Sequence, residues 1–504
     1  MSSSIEPSTG PRLRQSLLWN YAGHFFQIAI NLALTSVLAR HLTVPEYGIF
    51  LFVMALTNTL YVLDIGISSV LVQLFVSASA RAQKDELHDL LSTAFLVLSA
   101  LGLLAVAIFA TIAAALPGPF AIPRNLLSEA RLIFLLGALM IQVALPTMAI
   151  EMAYQAAHRF DRLNQTQLVA AILQLGLSIV ALAAGYGIVM LAAIQLACIV
   201  LRSSALVLGL PRAVPGVYLS LRSFRMNLLW PMLQLSRWAF LNNLGSAGFD
   251  FLIWTMLGSL GSMRDVALFG LAGKLPRQLW NLIDRGATVV LPVLSKAVAE
   301  NDASLIRKTY LRTLQMLFGS TLPFVLLGCF AAKPILTVWA GAQYAEAAPV
   351  MQLLLLGVIS HANGYASSQL MLACQEVKRA SLIAVAEYLM CLSVAIPLLK
   401  SHGVVGLAAG MVAAQLLVNF GWLTWAACRL SHTSPAAILR AMTTGVALPG
   451  AVLISSMTLI ALFDSSWAPL TIFIACVACG CLYLCIWGAR SVLPVYRAQS
   501  ETAA

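Results

Sequence analysis

Lys274, Arg277, Asp284 and Arg285 share one otherwise apolar run with Asn281. Ionisable groups are costly in hydrocarbon, and in spanning helices they face a partner or a water-filled cavity. Lys274, Arg277, Asn281 and Asp284 recur at steps of three and four, so a helix places them on one face. Together with Arg237 in the preceding run, these cations outnumber Asp250 and Asp284. A cationic cavity suits an anionic substrate. Phosphate or pyrophosphate is the natural candidate, because guanidinium groups bind their oxygens in pairs. The same residues also read as structural ion pairs, with Arg237 extending its stem to the membrane surface. Both readings stand at this point.

Other polar residues also fall into stripes. Asn20, His24, Gln27, Asn31 and Thr35 follow helical steps in the first apolar run. Thr57, Tyr61, Asp64 and Ser68 do so in the second, and Asn243, Ser246 and Asp250 in the seventh. The spacing predicts that they line a wet cavity. Among the intramembrane acids, Asp64, Asp250, Asp284, Glu151 and Glu387 are candidates to carry a coupling proton or sodium ion. The alternative is that they accept hydrogen bonds from neighbouring Ser, Asn or backbone groups. His24 titrates in a range suited to proton exchange, but also reads as a hydrogen-bonded cavity residue. Asp64-x-Gly66 and Asp284-x-Gly286 read equally well as backbone kinks, with the Asp capping freed amides.

The elements that must position these residues follow from composition. Of the 504 residues, 60% are apolar and 10% charged, against about 25% charged in a soluble domain. The stretch from Leu91 to Leu116 runs 26 residues without a charge, more than the ~20 needed to span a bilayer. The chain is therefore expected to be an all-α polytopic membrane protein. The net charge of +11 is spread over short connections between apolar runs. That pattern sets membrane orientation and does not suit nucleic acid. Cys476, Cys479, Cys481 and Cys485 crowd the last run without an adjacent His or carboxylate, so they read as helix-packing residues and no metal is expected.

Apolar runs broken by charge, Pro and Gly give about fourteen transmembrane helices: 15–39, 46–77, 90–116, 130–155, 165–184, 188–209, 230–257, 266–296, 309–330, 347–373, 381–399, 403–428, 440–462 and 468–488. With the N-terminus in the cytoplasm, nineteen Lys and Arg fall in inner connections and six in outer ones. Both termini are therefore expected inside. The organisation reads as a cytoplasmic tail (1–14), a six-helix lobe (15–208), a cytoplasmic linker (209–229), a second six-helix lobe (230–430), an extra helix pair (438–488) and a cytoplasmic tail (489–504).

The two lobes echo each other. Leu63-Asp64-Ile65-Gly66 matches Ile283-Asp284-Arg285-Gly286 at an offset of 220. The segments opening at Tyr186-Gly187 and His402-Gly403 match at 216, and those at Pro45-Glu46 and Arg264-Asp265 at 219. Lobes with an even number of helices face the same way. Parallel repeats of this kind flank a central cavity with the substrate path at their interface.

Two stretches carry a family resemblance. The first is Leu38-Ala39-Arg40-His41-Leu42-Thr43-Val44-Pro45-Glu46-Tyr47-Gly48-Ile49-Phe50, followed by Leu63-Asp64-Ile65-Gly66-Ile67-Ser68-Ser69. It resembles the opening of polysaccharide (O-antigen type) flippases. The second, Gly341-Ala342-Gln343-Tyr344-Ala345-Glu346-Ala347-Ala348-Pro349-Val350, resembles their connection between helices 9 and 10. These proteins belong to the multidrug, oligosaccharidyl-lipid and polysaccharide exporter superfamily. The resemblance implies a transporter that flips undecaprenyl-pyrophosphate-linked oligosaccharide across the bacterial inner membrane by alternating access, for exopolysaccharide, O-antigen or capsule. It implies no enzyme activity and no cofactor, a coupling ion gradient, contacts with membrane lipids, and association with a polysaccharide polymerase and co-polymerase. On this reading Lys274, Arg277, Arg285, Arg237 and Asn281 hold the pyrophosphate. The extra helix pair resembles the lipid II flippase branch, where such helices help hold the lipid tail.

Alternatives are a flippase for lipid II or another cell-wall precursor, and a cation-coupled drug antiporter of the same superfamily. An antiporter predicts an acid-dominated cavity, against the surplus of Lys and Arg in the eighth run. A membrane polymerase or ligase would want a long outer loop, and no connection here is that long. No G-x-x-x-x-G-K-[ST] motif occurs, so nucleotide hydrolysis is not expected.

Overall fold

In a bilayer a backbone must satisfy its own polar groups, and helices do so within one segment. The computed structural model describes residues 10–487, apart from positions 65, 82–83, 119, 215–216, 221–222, 289, 445 and 464–468. Among the described residues the regular structure is helical throughout: α1 Gly10–His41, α2 Val44–Thr59, α3 Ile67–Ala80, α4 Lys84–Ala115, α5 Leu127–Ala156, α6 Phe160–Ala183, α7 Ile188–Ala213, α8 Met226–Leu260, α9 Met263–Ala272, α10 Lys274–Thr288, α11 Val290–Ala299, α12 Ala303–Phe330, α13 Ala332–Ala340, α14 Ala348–Ala373, α15 Val377–Leu416, α16 Thr424–Leu430, α17 Pro435–Thr443, α18 Ala447–Phe463 and α19 Pro469–Trp487. Eight described helical segments are each long and apolar enough to cross a membrane. Every one of the fourteen expected runs coincides with a helix or with consecutive helical pieces.

The pieces arise at identifiable residues. The second run divides into α2 and α3 because Gly66 takes a left-handed φ of 71°, a conformation that costs a side-chain-bearing residue about 1 kcal/mol or more. The Asp64 carboxylate then accepts from Ser68 N–H (3.1 Å) and Ser68 Oγ–H (2.9 Å), capping the new helix. The kink reading of Asp64-x-Gly66 is thus what the geometry presents. The eighth run divides into α9, α10 and α11. In α15, Gly403 (φ 60°, ψ −148°) separates the two expected helices 381–399 and 403–428. Just beyond it, a Cβ on Gly406 would sit 2.1 Å from the Leu398 carbonyl oxygen, and one on Gly410 2.7 Å from Ala395 Cα. Small residues four apart let two backbones approach this closely. The second arm continues through a π-helical stretch, Leu417–Leu423, into α16.

Contacts divide the chain into two compact units, Met1–Met263 and Arg264–Ala504. In the first, α5 is the central helix, touching α2, α3, α4 and α7. Its core is aromatic, with Phe52 edge-on to Phe120 (4.8 Å between centroids) and Phe109 against Phe134 (5.6 Å). Helix α8, which opens the second lobe in the sequence reading, packs here against α2, α3 and α4. The connection before it is strapped to α4. His88 hydrogen-bonds the Tyr218 carbonyl and Ser223 Oγ, Ser92 Oγ accepts from Ser220 N–H, and Arg225 pairs with Asp89 at 3.1 Å. In the second unit, α14 is central, touching α10, α11, α12 and α15. The extra pair α18 and α19 rests on α12 and α13. Leu453, Met457, Tyr483 and Trp487 form a buried cluster there with Leu322, Leu326 and Leu327 of α12.

Candidate functional site

Helix α10 carries two faces of opposite chemistry. At about 100° per residue, Leu275, Gln278 and Leu279 project to one side and Arg277, Trp280, Asn281 and Asp284 to the other. The first group lines an apolar groove of about 290 Å³ with Pro323, Phe324, Leu327 and Gly328 of α12, Met351 and Leu355 of α14, and Gly480, Cys481 and Leu484 of α19. Gly480 is small for a reason, since a Cβ there would sit 2.5 Å from Leu327 Cδ1. The last helix is therefore one wall of this groove.

The opposite face meets α14. The Asp284 carboxylate lies 2.8 Å from His361 Nε2. The His361 ring stacks on Trp280 at 5.1 Å, and Tyr365 leans on His361 at 5.9 Å. The Arg277 guanidinium sits 5.8 Å from the Trp280 ring centre. A continuous stack thus runs from guanidinium through indole and imidazole to carboxylate. Cation–aromatic contact fixes an arginine without neutralising it. The arrangement holds the Arg277 guanidinium beside the Trp280 ring.

The sequence-predicted residues distribute as follows. Lys274 is half-buried at the start of α10, Arg277 is exposed, and Asn281 and Asp284 are half-buried. The side chains of Arg285, Arg237, Asn243, Asn20 and His24 lie outside the described residues. In α1, Asn31 is exposed and Gln27 half-buried. The second-run stripe packs inward: Thr57 is buried and bonds the Val53 carbonyl, and Asp64 and Ser68 are buried and bonded to each other. That differs from a cavity-lining face. The reason is the close approach of α5, where a Cβ on Gly137 would lie 2.9 Å from Thr57 Oγ1.

Glu151 is not a lone acid. It pairs with Arg202 of α7 at 2.6 Å, with both side chains about one-fifth exposed. Asp250 is half-buried in α8. Glu387 faces Asn419, which sits in the π-helical stretch. Asn419 also donates to Ser360 Oγ (3.1 Å), while Asn363 donates to the Asn419 carbonyl (2.8 Å) and to Thr424 Oγ1 (2.9 Å). This buried network ties α14 to the π-helical stretch and the start of α16.

Sequence reasoning missed Trp280, His361, Tyr365 and Arg202. Trp280 is detectable in hindsight, three residues after Arg277. His361 stands alone in its run, and nothing in its spacing announces that it faces α10.

The profile of the polysaccharide biosynthesis protein family matches residues 37–349. The chain belongs to this family. Among curated protein sequences, none matches the chain. Solved structures resemble it in fold. The lipid II flippase MurJ in an inward closed conformation superposes with a TM-score of 0.73 at 15% identity, covering 94% of this chain and 98% of its own. An inward-facing multidrug-resistance MATE transporter of the MOP superfamily gives 0.72 at 15% identity, covering 81% and 95%. A Pyrococcus furiosus MOP-superfamily transporter, described as having a binding pocket of reversed polarity, gives 0.53 at 14% identity, covering 81% and 93%. This member of the polysaccharide biosynthesis protein family has the fold of the flippases and transporters of that superfamily.

Proposed function

We propose that this protein flips a polyprenyl-pyrophosphate-linked oligosaccharide across the bacterial inner membrane by alternating access, for exopolysaccharide, O-antigen or capsule synthesis. The observation that carries the reading is the two-faced helix α10. Its ionic side presents Lys274 and the stacked Arg277, while its apolar side lines a groove closed by α19. An amphipathic substrate has these same two parts. The pyrophosphate engages Lys274 and Arg277, joined by Arg237, Arg285 and Asn281. The glycan crosses in a wet cavity, and the polyprenyl tail lies along the groove in contact with lipid. A proton or sodium gradient drives the cycle. Asp284, Asp64, Asp250 and Glu387 are the carriers to test. Glu151 is better suited to a structural tie, because a fixed guanidinium already neutralises it. Both termini face the cytoplasm, and a polymerase and co-polymerase receive the product.

The experiment is translocation of a labelled polyprenyl-pyrophosphate oligosaccharide in proteoliposomes. Lys274→Ala and Arg277→Ala are each expected to lower the rate about tenfold, the loss of one charge-assisted contact, with unchanged melting temperature. Undiminished flipping by both folded variants would return these residues to structural pairing. One observation favours a second reading, a cell-wall precursor as cargo: the MurJ superposition covers 94% of the chain. Assaying lipid II beside the oligosaccharide separates the two.

A further inference from the structure

The second unit carries a second cationic–aromatic cluster, on α15 and α16. Trp425, the second residue of α16, is 45% exposed. The Arg429 guanidinium lies 3.9 Å from its ring centre and that of Arg379 lies 5.2 Å away. The two like charges are therefore no further apart than the sum of these distances. Among the described residues neither guanidinium pairs with a carboxylate. Exposed Lys378 and His432 adjoin them. The first-turn amides of α15, at Val377, Lys378 and Arg379, have no side-chain cap.

The cluster is rigidly mounted. Ala380 and Leu430, the neighbours of the two arginines, pack on buried Met371, Ile383, Leu423 and Ala426. Two repelling cations held over one indole are relieved by an anion from outside the chain. Guanidinium pairs favour phosphate, and free helix N-terminal amides favour the same charge. The turns joining α14 to α15 and α16 to α17 lie at one end of the bundle, which the charge distribution places at the inner leaflet. Tryptophan belongs at that depth. Inner-leaflet anionic lipids attract surface Lys and Arg with about 1 kcal/mol per charge.

We infer that Arg379, Trp425 and Arg429 form a binding site for the phosphate of an anionic phospholipid in the inner leaflet. The lipid phosphate bridges the two guanidinium groups, and its acyl chains run beside exposed Trp422 and Leu417. The site would anchor the α15–α16 hairpin to the inner leaflet. It shares no residue with the α10 site and does not depend on the identity of the cargo.

The test uses the full chain, without cargo, in nanodiscs of phosphatidylcholine with and without phosphatidylglycerol. Native mass spectrometry of protein released from the discs reads the retained lipid. Wild type is expected to retain phosphatidylglycerol over phosphatidylcholine. The R379Q/R429Q variant should lose that preference by roughly tenfold or more, and R379K/R429K, keeping charge without the planar fork, should retain part of it. Millimolar inorganic phosphate should not displace the lipid. Equal retention by wild type and the Gln variant, at matched melting temperature, overturns the assignment. So does full displacement by inorganic phosphate, which would mark a free-anion site. If the double variant does not fold, R429Q alone is read against the same two outcomes.

Discussion

Glu151–Arg202 in the first unit and Asp284–His361 in the second are both acid–base contacts between neighbouring helices inside the membrane. They differ in partner and surroundings. Arg202 is charged at any physiological pH, and its contact with Glu151 is short at 2.6 Å. His361 is an imidazole, its carboxylate partner is 42% exposed, and it is part of a stack ending at Arg277. The first pair is built to hold α5 to α7. The second sits in the stack that carries Arg277, beside the proposed anion site. Partner chemistry distinguishes these two contacts better than position along the helix.

Breaking the rigid pair should have the largest effect. Arg202→Met leaves Glu151 uncompensated and is expected to cost about 3 kcal/mol, read as a fall in melting temperature in detergent. The double variant E151Q/R202M should recover most of the loss. If R202M melts like wild type, the pair is not a structural tie.

The second pair should respond differently. His361→Phe keeps a ring on Trp280 but loses the bond to Asp284. It is expected to slow translocation roughly fivefold, the value of one hydrogen bond, with little change in melting. His361→Gln keeps a donor and loses the ring, so comparing the two assigns the effect to bond or stack. A large stability loss in H361F with unchanged transport would place this pair in the same class as Glu151–Arg202.

Asp64 offers an internal control, as an acid bonded to a helix amide and hydroxyl rather than to a base. Asp64→Ala should cost about 1 kcal/mol of stability, a capping loss. Transport abolished in a D64A protein of normal stability would instead make Asp64 an ion carrier. The smallest effect is expected in the groove. Leu279→Ser should reduce flipping of long-tailed substrates about threefold, from lost apolar contact, and leave a short-tailed analogue unaffected. Equal loss with both tails would remove the tail from the groove.

Much of the scaffold was legible along the chain. Apolar runs, their punctuation by Gly and Pro, and the exclusion of charge gave the long helical segments but not the short α13 (Ala332–Ala340), because a bilayer admits few alternatives for long runs. Helical spacing also put Arg277, Asn281 and Asp284 on one face. The outcome for the second-run stripe shows the limit of that argument. Thr57, Asp64 and Ser68 do share a face, but the face is packed inside the first unit.

Periodicity tells which residues point the same way, and not what they point at. Sequence by itself determined the all-helical membrane class, the segment boundaries to within a few residues, and the breaks at Gly66 and Gly403. Those properties depend on local backbone energetics and on the solvent each segment meets. Only the tertiary structure decided that Glu151 answers Arg202, that His361 answers Asp284 beneath Trp280, and that α19 closes a groove on the back of α10. Such pairings join residues 51 to about 200 positions apart, and helix packing selects them through shape and charge that no single run contains.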